Sequence, residues 1–159
     1  MQGKVQELFL SFLDKYKEEG SDELFYHKRF IEMKNEELTT LTVDFAHVRD
    51  FNDKLAQIIT ENYYRFENEL RAALLQFVKN LDLAYAVDER SHNDRQFFIS
   101  FVNVGVKTML REIKPSAIGQ LFAFQGTVTR TSDVCPELLR GNFKCKICGA
   151  EIKNVSQNF

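Results

Sequence analysis

Cysteine, proline and tryptophan are scarce in this sequence, and the few cysteines exclude one class of protein. The 159 residues include three Cys, two Pro and no Trp. A secreted disulfide scaffold uses a dense and even set of cysteines, whereas here the number is odd and Cys145 and Cys148 form a C-x-x-C motif. This pattern favours a reducing compartment, and metal or thiol chemistry rather than a disulfide framework.

Long apolar runs are missing as well. No run approaches the ~20 apolar residues that a membrane-spanning helix needs. Near the amino terminus the apolar residues have helical spacing and are not continuous, unlike those of a secretory signal. We therefore expect a soluble intracellular protein with no membrane partner.

Enzyme signatures are also absent. The sequence contains no G-x-x-x-x-G-K-[ST], G-x-G-x-x-G, G-x-S-x-G or H-E-x-x-H motif. His27, His47 and His92 are scattered, so we expect them on helix surfaces or in loops rather than as ligands. The chain taken alone is predicted to have no catalytic site.

Charge is distributed unevenly along the sequence. Residues 1–80 carry 11 basic and 15 acidic side chains and residues 81–159 carry 10 and 8, so net charges of −4 and +2 sum to −2. A polyanion would therefore bind in the second half, if anywhere. In the first half an acidic face could dock a basic loading factor, although a solvated face is the simpler interpretation; it comprises Glu18, Glu19, Asp22, Glu36 and Glu37.

The first half of the sequence has helical periodicity, and 44% hydrophobic residues are enough for a core. A first helix, ended by Gly20, is predicted to bury Val5, Leu8, Phe9, Phe12, Leu13 and Tyr16 on one face. A second, over about residues 23–34, would bury Leu24, Phe30 and Ile31. TTLTVDF (39–45) alternates like a strand, and two further helices with a bend near Asn62 are predicted up to Val78.

The second half changes to strand patterns. Residues 80–95 lose the helical period, so we place a domain boundary there, with one domain at 1–90 and another at 91–159. Strands are predicted at 96–104 and 121–131, with Gly126 at a bulge or a tight barrel bend. Two more are predicted near 138–144 and 150–155, on either side of the C-x-x-C motif.

FKCKICGAE (143–151) is typical of half a zinc site. In a zinc knuckle, two thiolates lie on a tight turn between short strands, and the Gly after the second Cys lets amide N–H groups point at sulfur. Ribbon sites add a second C-x-x-C, typically ~15–20 residues on, which falls at or beyond the end of this sequence. A redox dithiol and inert thiols are the alternatives; Cys135 is interpreted as a bystander.

Basic residues on the predicted strands are candidates for contacts with nucleic acid. Short strands that close into a barrel, with projecting basic and aromatic side chains, are how OB-folds bind single strands. Arg130, Arg140, Lys144 and Lys146 are the candidates for phosphate contacts. For each of them a solvated charge is the alternative.

Several spaced motifs together resemble one family. Three motifs follow one another within REIKPSAIGQLFAFQGTVTRTSDVCPELLRGNFKCKICGAEIKNVSQNF and the Leu before it. They are L-R-E/D-I-x-x-x-x-I-G-x-L, G-T-V-T-R-T-S-x-V-x-P-E-L and F-x-C-x-x-C. This run resembles the amino-terminal region of minichromosome maintenance (MCM) replicative helicase subunits, most of all the sixth eukaryotic subunit. Upstream, TLTVDFAHVRDFNDKLAQIITENYYRF is similar to the helical subdomain of that family.

The resemblance implies an α+β fold class. Residues 1–90 would be the helical bundle called subdomain A, and residues 91–159 the beginning of an OB-fold β-barrel with an inserted, truncated zinc-ribbon module. Cys145 and Cys148 would be the first two of four cysteine ligands of a zinc ion. The sequence is thus expected to be a fragment that stops inside the zinc module.

The resemblance also implies partners and a function. The fragment would be non-catalytic and would contribute to hexamer assembly, DNA encirclement and DNA binding during replication licensing, initiation and fork unwinding. Its partners would be other MCM subunits in a hetero-hexamer, single- and double-stranded DNA, and helicase loading and activating factors, in the nucleus. ATP and Mg would bind only in an ATPase domain that is not in this sequence. The rival hypotheses are a zinc-ribbon adaptor of the transcription apparatus and a thiol–disulfide enzyme that uses the two cysteines.

Overall fold

The computed structural model describes residues 2–18, 20, 22–88, 93–105, 107–136, 138 and 140–156. It divides into two compact units, Met1–Gly126 and Thr127–Phe159. In the described part of the chain, no helix has the length and apolar character needed to cross a membrane. Glu19 and His92, which the sequence analysis singled out, lie outside the described residues.

In the first unit, one strand lies between the second and third α-helices and the other strands follow the last α-helix. The helices are α1 (Gln2–Lys15), α2 (Phe25–Asn35), α3 (Phe45–Phe51), α4 (Asp53–Glu61), α5 (Tyr63–Leu81) and α6 (Leu83–Ala86). The strands are β1 (Thr40–Asp44), β2 (Phe98–Val102), β3 (Thr108–Met109) and β4 (Phe124–Gln125), and 3-10 turns occupy Leu110–Glu112 and Pro115–Ala117.

The core lies between α1 and α5. Phe9 and Phe12 of α1 and Leu74 and Phe77 of α5 are fully buried, as the helical period predicted. Leu8 is an exception, because it lies at the edge of the apolar face and is 40% exposed. The predicted end at Gly20 was wrong, since α1 ends at Lys15, and Tyr16 follows the helix and is only half-buried.

The prediction for the buried face of α2 was right for Phe30 and wrong for Leu24 and Ile31. The helix begins at Phe25 rather than near residue 23, and Tyr26, Phe30 and Met33 are its buried residues. These follow an i, i+4, i+7 spacing, so they share one face. Ile31 is one residue round from that face and is 57% exposed.

Two short polar side chains divide the middle of the unit into separate helices. Asp44 Oδ1 accepts a hydrogen bond from the Ala46 N–H at 2.9 Å, so α3 begins directly after β1. Asn52 Oδ1 accepts from the Leu55 N–H at 3.1 Å and caps α4. The sequence analysis missed α3 as a separate helix, but the predicted break at Asn62 between α4 and α5 is confirmed.

His47 lies on α3 and is half-buried, packed among aromatic rings. Its imidazole stacks on Tyr16 with a centroid distance of 4.5 Å, and its Nδ1 is 3.1 Å from the hydroxyl oxygen of Tyr26. Burial raises the pKa of Tyr26 far above its usual range. His47 is therefore a packing residue of the helical core.

β2 is a strand, as predicted, but its partner lies in the helical part of the chain. It pairs with β1 in parallel, and Leu41 is opposite Ile99 and Val43 opposite Phe101. Phe101 also lies against Phe9 and Phe45, at centroid distances of 6.4 and 5.6 Å. The aromatic side chain is thus stabilised by the helical core, and the boundary between residues 90 and 91 stays a prediction.

The long strand predicted over 121–131 is wrong. Only Phe124–Gln125 is regular, as β4, and it pairs in parallel with β3 over two residues. A strand extends only as far as its ladder partner does, and β3 offers two residues. Gly126 therefore follows the end of β4 instead of forming a bulge within a strand.

The second unit contains an antiparallel hairpin, which confirms the last two predicted strands. β5 (Arg140–Lys144) and β6 (Glu151–Ser156) pair with a register shift between Gly141 and Phe143. The described strands of the whole chain thus pair as three two-stranded sheets. Part of the first predicted strand, Leu139, is outside the described residues.

Candidate metal-binding turn and nucleic-acid interface

The turn between β5 and β6 carries the C-x-x-C motif. The Cys145 N–H donates to the Ala150 carbonyl oxygen at 2.8 Å, and the Gly149 N–H donates to the Cys145 carbonyl oxygen at 3.1 Å. Gly149 has a φ of +71°, and an added Cβ there would meet nothing within 4 Å. The glycine is thus needed for its left-handed backbone, which a residue with a side chain adopts at a cost.

The turn also affects the acidity of the Cys145 thiol. Its pKa is lowered by the backbone N–H groups of Cys148 and Ile147 and then by the Cys148 side chain. The N–H of Cys148 is the largest of the causes that lower the pKa of the Cys145 thiol below its ordinary value. The zinc-knuckle interpretation expects amide N–H groups near sulfur, and that interpretation stays a prediction.

The described residues bring together only two candidate metal ligands at this turn. Cys135, Cys145 and Cys148 are all exposed, and no group of three or more His, Cys, Asp or Glu side chains able to hold a metal occurs among the residues that the structure describes. A structural zinc site takes four ligands, commonly cysteines. The pair fits half of such a site, and metal binding stays a prediction.

The four candidate DNA contacts are all exposed, but they lie in different local structures. Arg130 is in the irregular stretch after β4, Arg140 and Lys144 are the ends of β5, and Lys146 is in the turn. The extra residue of the register shift lies in β6, where Asn154 has a φ of +57°, so β5 keeps its alternation and the spacing of four residues places Arg140 and Lys144 on one face of the hairpin.

Glu151 is a residue of this surface that the sequence analysis missed. Its carboxylate oxygens lie 3.4 Å from Lys144 Nζ and 3.9 Å from Lys153 Nζ. Lys144 and Glu151 are opposite each other in the hairpin, which a cross-strand pairing of the two predicted strands could have revealed. At 68% exposure the Lys144 side chain is well solvated, so this ion pair is weak and a phosphate can compete with it.

Apolar side chains are also exposed on the hairpin. Phe143 and Ile152 are directly opposite each other and are more than half exposed, and Ile147 at the tip is 97% exposed. Cross-strand contact between the first two stabilises the hairpin locally. Ile147, between the cysteines, has no such role.

Comparisons with known proteins divide the chain in two. Residues 6–103 match the MCM N-terminal domain, and residues 108–158 match the MCM OB domain. β2 falls at the end of the first match and the hairpin within the second. The ATPase domain is absent from this chain, as expected from the sequence.

Curated relatives match almost the whole chain. DNA replication licensing factor MCM6 of Oryza sativa subsp. indica is 44% identical over 160 residues, which cover 98% of this chain and 19% of the relative. The protein of the same name from Arabidopsis thaliana is 40% identical over 157 residues, with 98% and 19% covered. Mcm6 of Anopheles gambiae is 37% identical over 157 residues, with 98% and 18% covered.

The chain thus spans about a fifth of the length of these relatives, 19% of the first two. The resemblance inferred from the spaced motifs, including the similarity to the sixth subunit, is confirmed. The hypothesis of a zinc-ribbon adaptor of the transcription apparatus is not favoured. This chain belongs to the MCM family of replicative helicase subunits and carries that family's N-terminal and OB domains.

Proposed function

We propose that this chain is the non-catalytic amino-terminal part of a subunit that assembles with other MCM subunits into a hetero-hexamer around DNA. It would act in the nucleus in replication licensing, initiation and fork unwinding, with helicase loading and activating factors as further partners. The observation that supports this is the 44% identity over 98% of the chain to a protein named as a replication licensing factor. ATP and Mg would bind to an ATPase domain outside this chain.

Cys145 and Cys148 would supply two thiolate ligands to a structural zinc ion in an inserted zinc-ribbon module. The support is the C-x-x-C turn itself, in which both cysteines are exposed and the neighbouring amide groups lower the pKa of the Cys145 thiol, which favours a thiolate. Zinc would supply a cross-link between this turn and two further ligands from outside residues 1–159. The residues of this chain would hold the turn closed through the hydrogen bonds of Cys145 and Gly149.

Arg130, Arg140, Lys144 and Lys146 would contact DNA phosphates. All four are exposed. Each lies in the half of the sequence with a net positive charge, which contains 10 basic and 8 acidic side chains. Contacts of this kind carry no base specificity, which suits a protein that encircles DNA of any sequence.

Native mass spectrometry tests the assembly and the zinc site together. Two polypeptides are compared, this chain and one extended by about a hundred residues, each alone and with related MCM subunits. We expect one zinc per extended polypeptide and none on this chain, with complexes between subunits. A stoichiometric zinc on this chain alone would contradict the half-site, since ligands within residues 1–159 would then complete it.

A further inference from the structure

The two cysteines of the hairpin turn lie close enough to react with each other. The Gly149 N–H donates to the Cys145 carbonyl oxygen at 3.1 Å, so one tight turn contains both cysteines. A turn closed by such an i to i+4 bond is a single helical turn, in which residues three positions apart have Cα atoms about 5 Å apart. Disulfides join Cα atoms about 4.4–6.8 Å apart, so the backbone of the turn already has a separation that a disulfide can bridge.

Both sulfurs are also open to reagents in water. Cys145 and Cys148 are exposed, and Ile147 between them is 97% exposed. Formation of a bond between the sulfurs therefore displaces no buried side chain, and no part of the core has to open. An exposed thiol beside a second thiol is the usual setting of a reversible oxidation site.

We propose that Cys145 and Cys148 form a redox-sensitive modification site, which a hydroperoxide closes into an intramolecular disulfide. The inference concerns the residues proposed above as zinc ligands, but it rests on the two thiols alone and holds whether or not zinc binds. A disulfide sulfur is no longer a thiolate and does not ligate zinc. Oxidation and metal binding at this turn would therefore exclude each other.

The reaction is balanced with hydrogen peroxide as the oxidant. One cysteine sulfur attacks a peroxide oxygen, an S–O bond forms as the O–O bond breaks, and water leaves with the thiol proton. The second sulfur then attacks the sulfenic sulfur, the S–S bond forms as the S–O bond breaks, and a second water leaves. The peroxide gains two electrons and each sulfur loses one, so two thiols and one peroxide give one disulfide and two waters.

Cys135 supplies a matched control. It is exposed like the other two, but it lies ten positions before Cys145 in the sequence and outside the turn. If exposure alone decided reactivity, Cys135 would form disulfides as readily as the pair. Under the proposal, Cys135→Ser leaves the reaction intact and Cys148→Ser abolishes it.

Peptide mapping of this chain is the test. The chain is freed of metal, treated with hydrogen peroxide in slight excess, blocked with an alkylating agent and digested with trypsin without reduction. Cleavage after Lys144, Lys146 and Lys153 would leave residues 145–146 joined to residues 147–153 by the disulfide. Where Lys146 is not cleaved, the single peptide 145–153 lacks the mass of two hydrogen atoms instead.

We expect the linked species to contain most of the Cys145 in the parent chain and in Cys135→Ser, and none in Cys148→Ser. Disulfides that mainly involve Cys135, or a Cys145 that proceeds to sulfinic acid with Cys148 still alkylated, would overturn the proposal. So would full alkylation of both cysteines after a peroxide treatment that oxidises free cysteine completely.

The same mapping on the extended polypeptide, with and without zinc, separates this inference from the zinc proposal. If the disulfide forms in the metal-free protein and zinc reduces its formation at least tenfold, the result supports both the disulfide inference and the zinc proposal. Formation that zinc does not suppress supports the disulfide and counts against Cys145 and Cys148 as zinc ligands. Absence of the disulfide from the metal-free protein overturns the present inference and leaves the zinc proposal standing.

Discussion

The Tyr64 N–H donates to the Gly119 carbonyl oxygen at 3.1 Å, across the break between α4 and α5. In an uninterrupted helix that N–H would bond to the carbonyl of Thr60, four residues earlier. Here the Thr60 carbonyl accepts from the Leu121 N–H instead, at 2.9 Å. The segment 119–121 thus forms hydrogen bonds with the Tyr64 N–H and the Thr60 carbonyl, which would otherwise bond to each other. These bonds attach the segment to the helices of the first unit.

Gly119→Ala should weaken this connection. Gly119 has a φ of +84°, and an added Cβ would lie 3.7 Å from the Tyr64 Cβ, an ordinary contact. The cost would therefore come from the left-handed backbone alone, about 1–2 kcal/mol of unfolding free energy. Urea denaturation measures it.

Gly126→Ala is the control for Gly119→Ala. Gly126 has no left-handed φ, and nothing lies within 4 Å of an added Cβ. The stability should be unchanged or slightly higher, because alanine restricts the unfolded chain. Equal losses for the two variants would mean that the backbone conformation of Gly119 is not the cause.

The core position of Phe77 can be compared with the exposed position of Ile31. Phe77→Ala should cost about 3–5 kcal/mol of unfolding free energy, because its ring is fully buried and lies against Phe30 of α2. Ile31→Ala should change it by no more than about 0.5 kcal/mol, since Ile31 is 57% exposed. A large loss for Ile31→Ala in thermal or urea denaturation would restore the buried face that its sequence suggested.

Features of this fold that depend on the local sequence were predicted better than features that depend on pairing between distant residues. The core face of α1 and the break at Asn62 follow from the helical period and residue type alone. The turn at Cys145 and Cys148 was equally predictable, since its hydrogen bonds join residues at most five positions apart. The sequence analysis could therefore predict this turn, because its conformation depends on neighbouring residues alone.

The errors concern features that depend on contacts between residues far apart in the sequence. The extent of β4 depends on its partner β3, and no local signal in 121–131 shows that the ladder has two residues. The pairing of β2 with β1 joins residues about sixty positions apart. Glu151 was missed for the same kind of reason, because its partner Lys144 is found by strand register and not by sequence spacing.

Asp82 should make the stability of the first unit depend on pH. The hydrogen bond from Lys34 Nζ, and then the N–H of Tyr85, lower the pKa of the Asp82 carboxyl below its ordinary value of 3.8. A lowered folded-state pKa means that the stabilisation is complete above the unfolded-state pKa and is lost as the pH falls through the folded-state pKa. Asp82→Asn should therefore lower stability at pH 6 and flatten its decline below about pH 4.

A double-mutant cycle with Lys34→Met identifies the partner in that effect. The Lys34 ammonium and the Asp82 carboxylate form an ion pair, so the two substitutions should be less than additive at pH 6 and additive near pH 2. Additivity at both pH values, in urea denaturation, would show that the ion pair makes no contribution.

DNA binding should depend on salt through the proposed phosphate contacts. For each contact, the slope of log K against log salt concentration should change by about 0.7 on a single strand. Arg130→Ala and Arg140→Ala should each reduce the slope by about that amount, measured by fluorescence anisotropy across a salt series. Lys54→Ala, an exposed change in α4, is the control and should leave the slope as it is. Equal reductions for all three variants would indicate a diffuse charge effect.

Cys145→Ser should have different effects in the two polypeptides compared above. In this chain Cys145 is exposed and is not a member of the hydrophobic core, so its loss should leave the unfolding transition of the first unit unchanged. In the extended polypeptide with zinc, the same change should destabilise the second unit by several kcal/mol, because metal binding and folding are coupled. Differential scanning calorimetry with and without a chelator measures both, and Cys135→Ser should be silent in each. If Cys145→Ser destabilised the two polypeptides equally, the cysteine would act through local packing, and two further ligands would not be needed to explain its role.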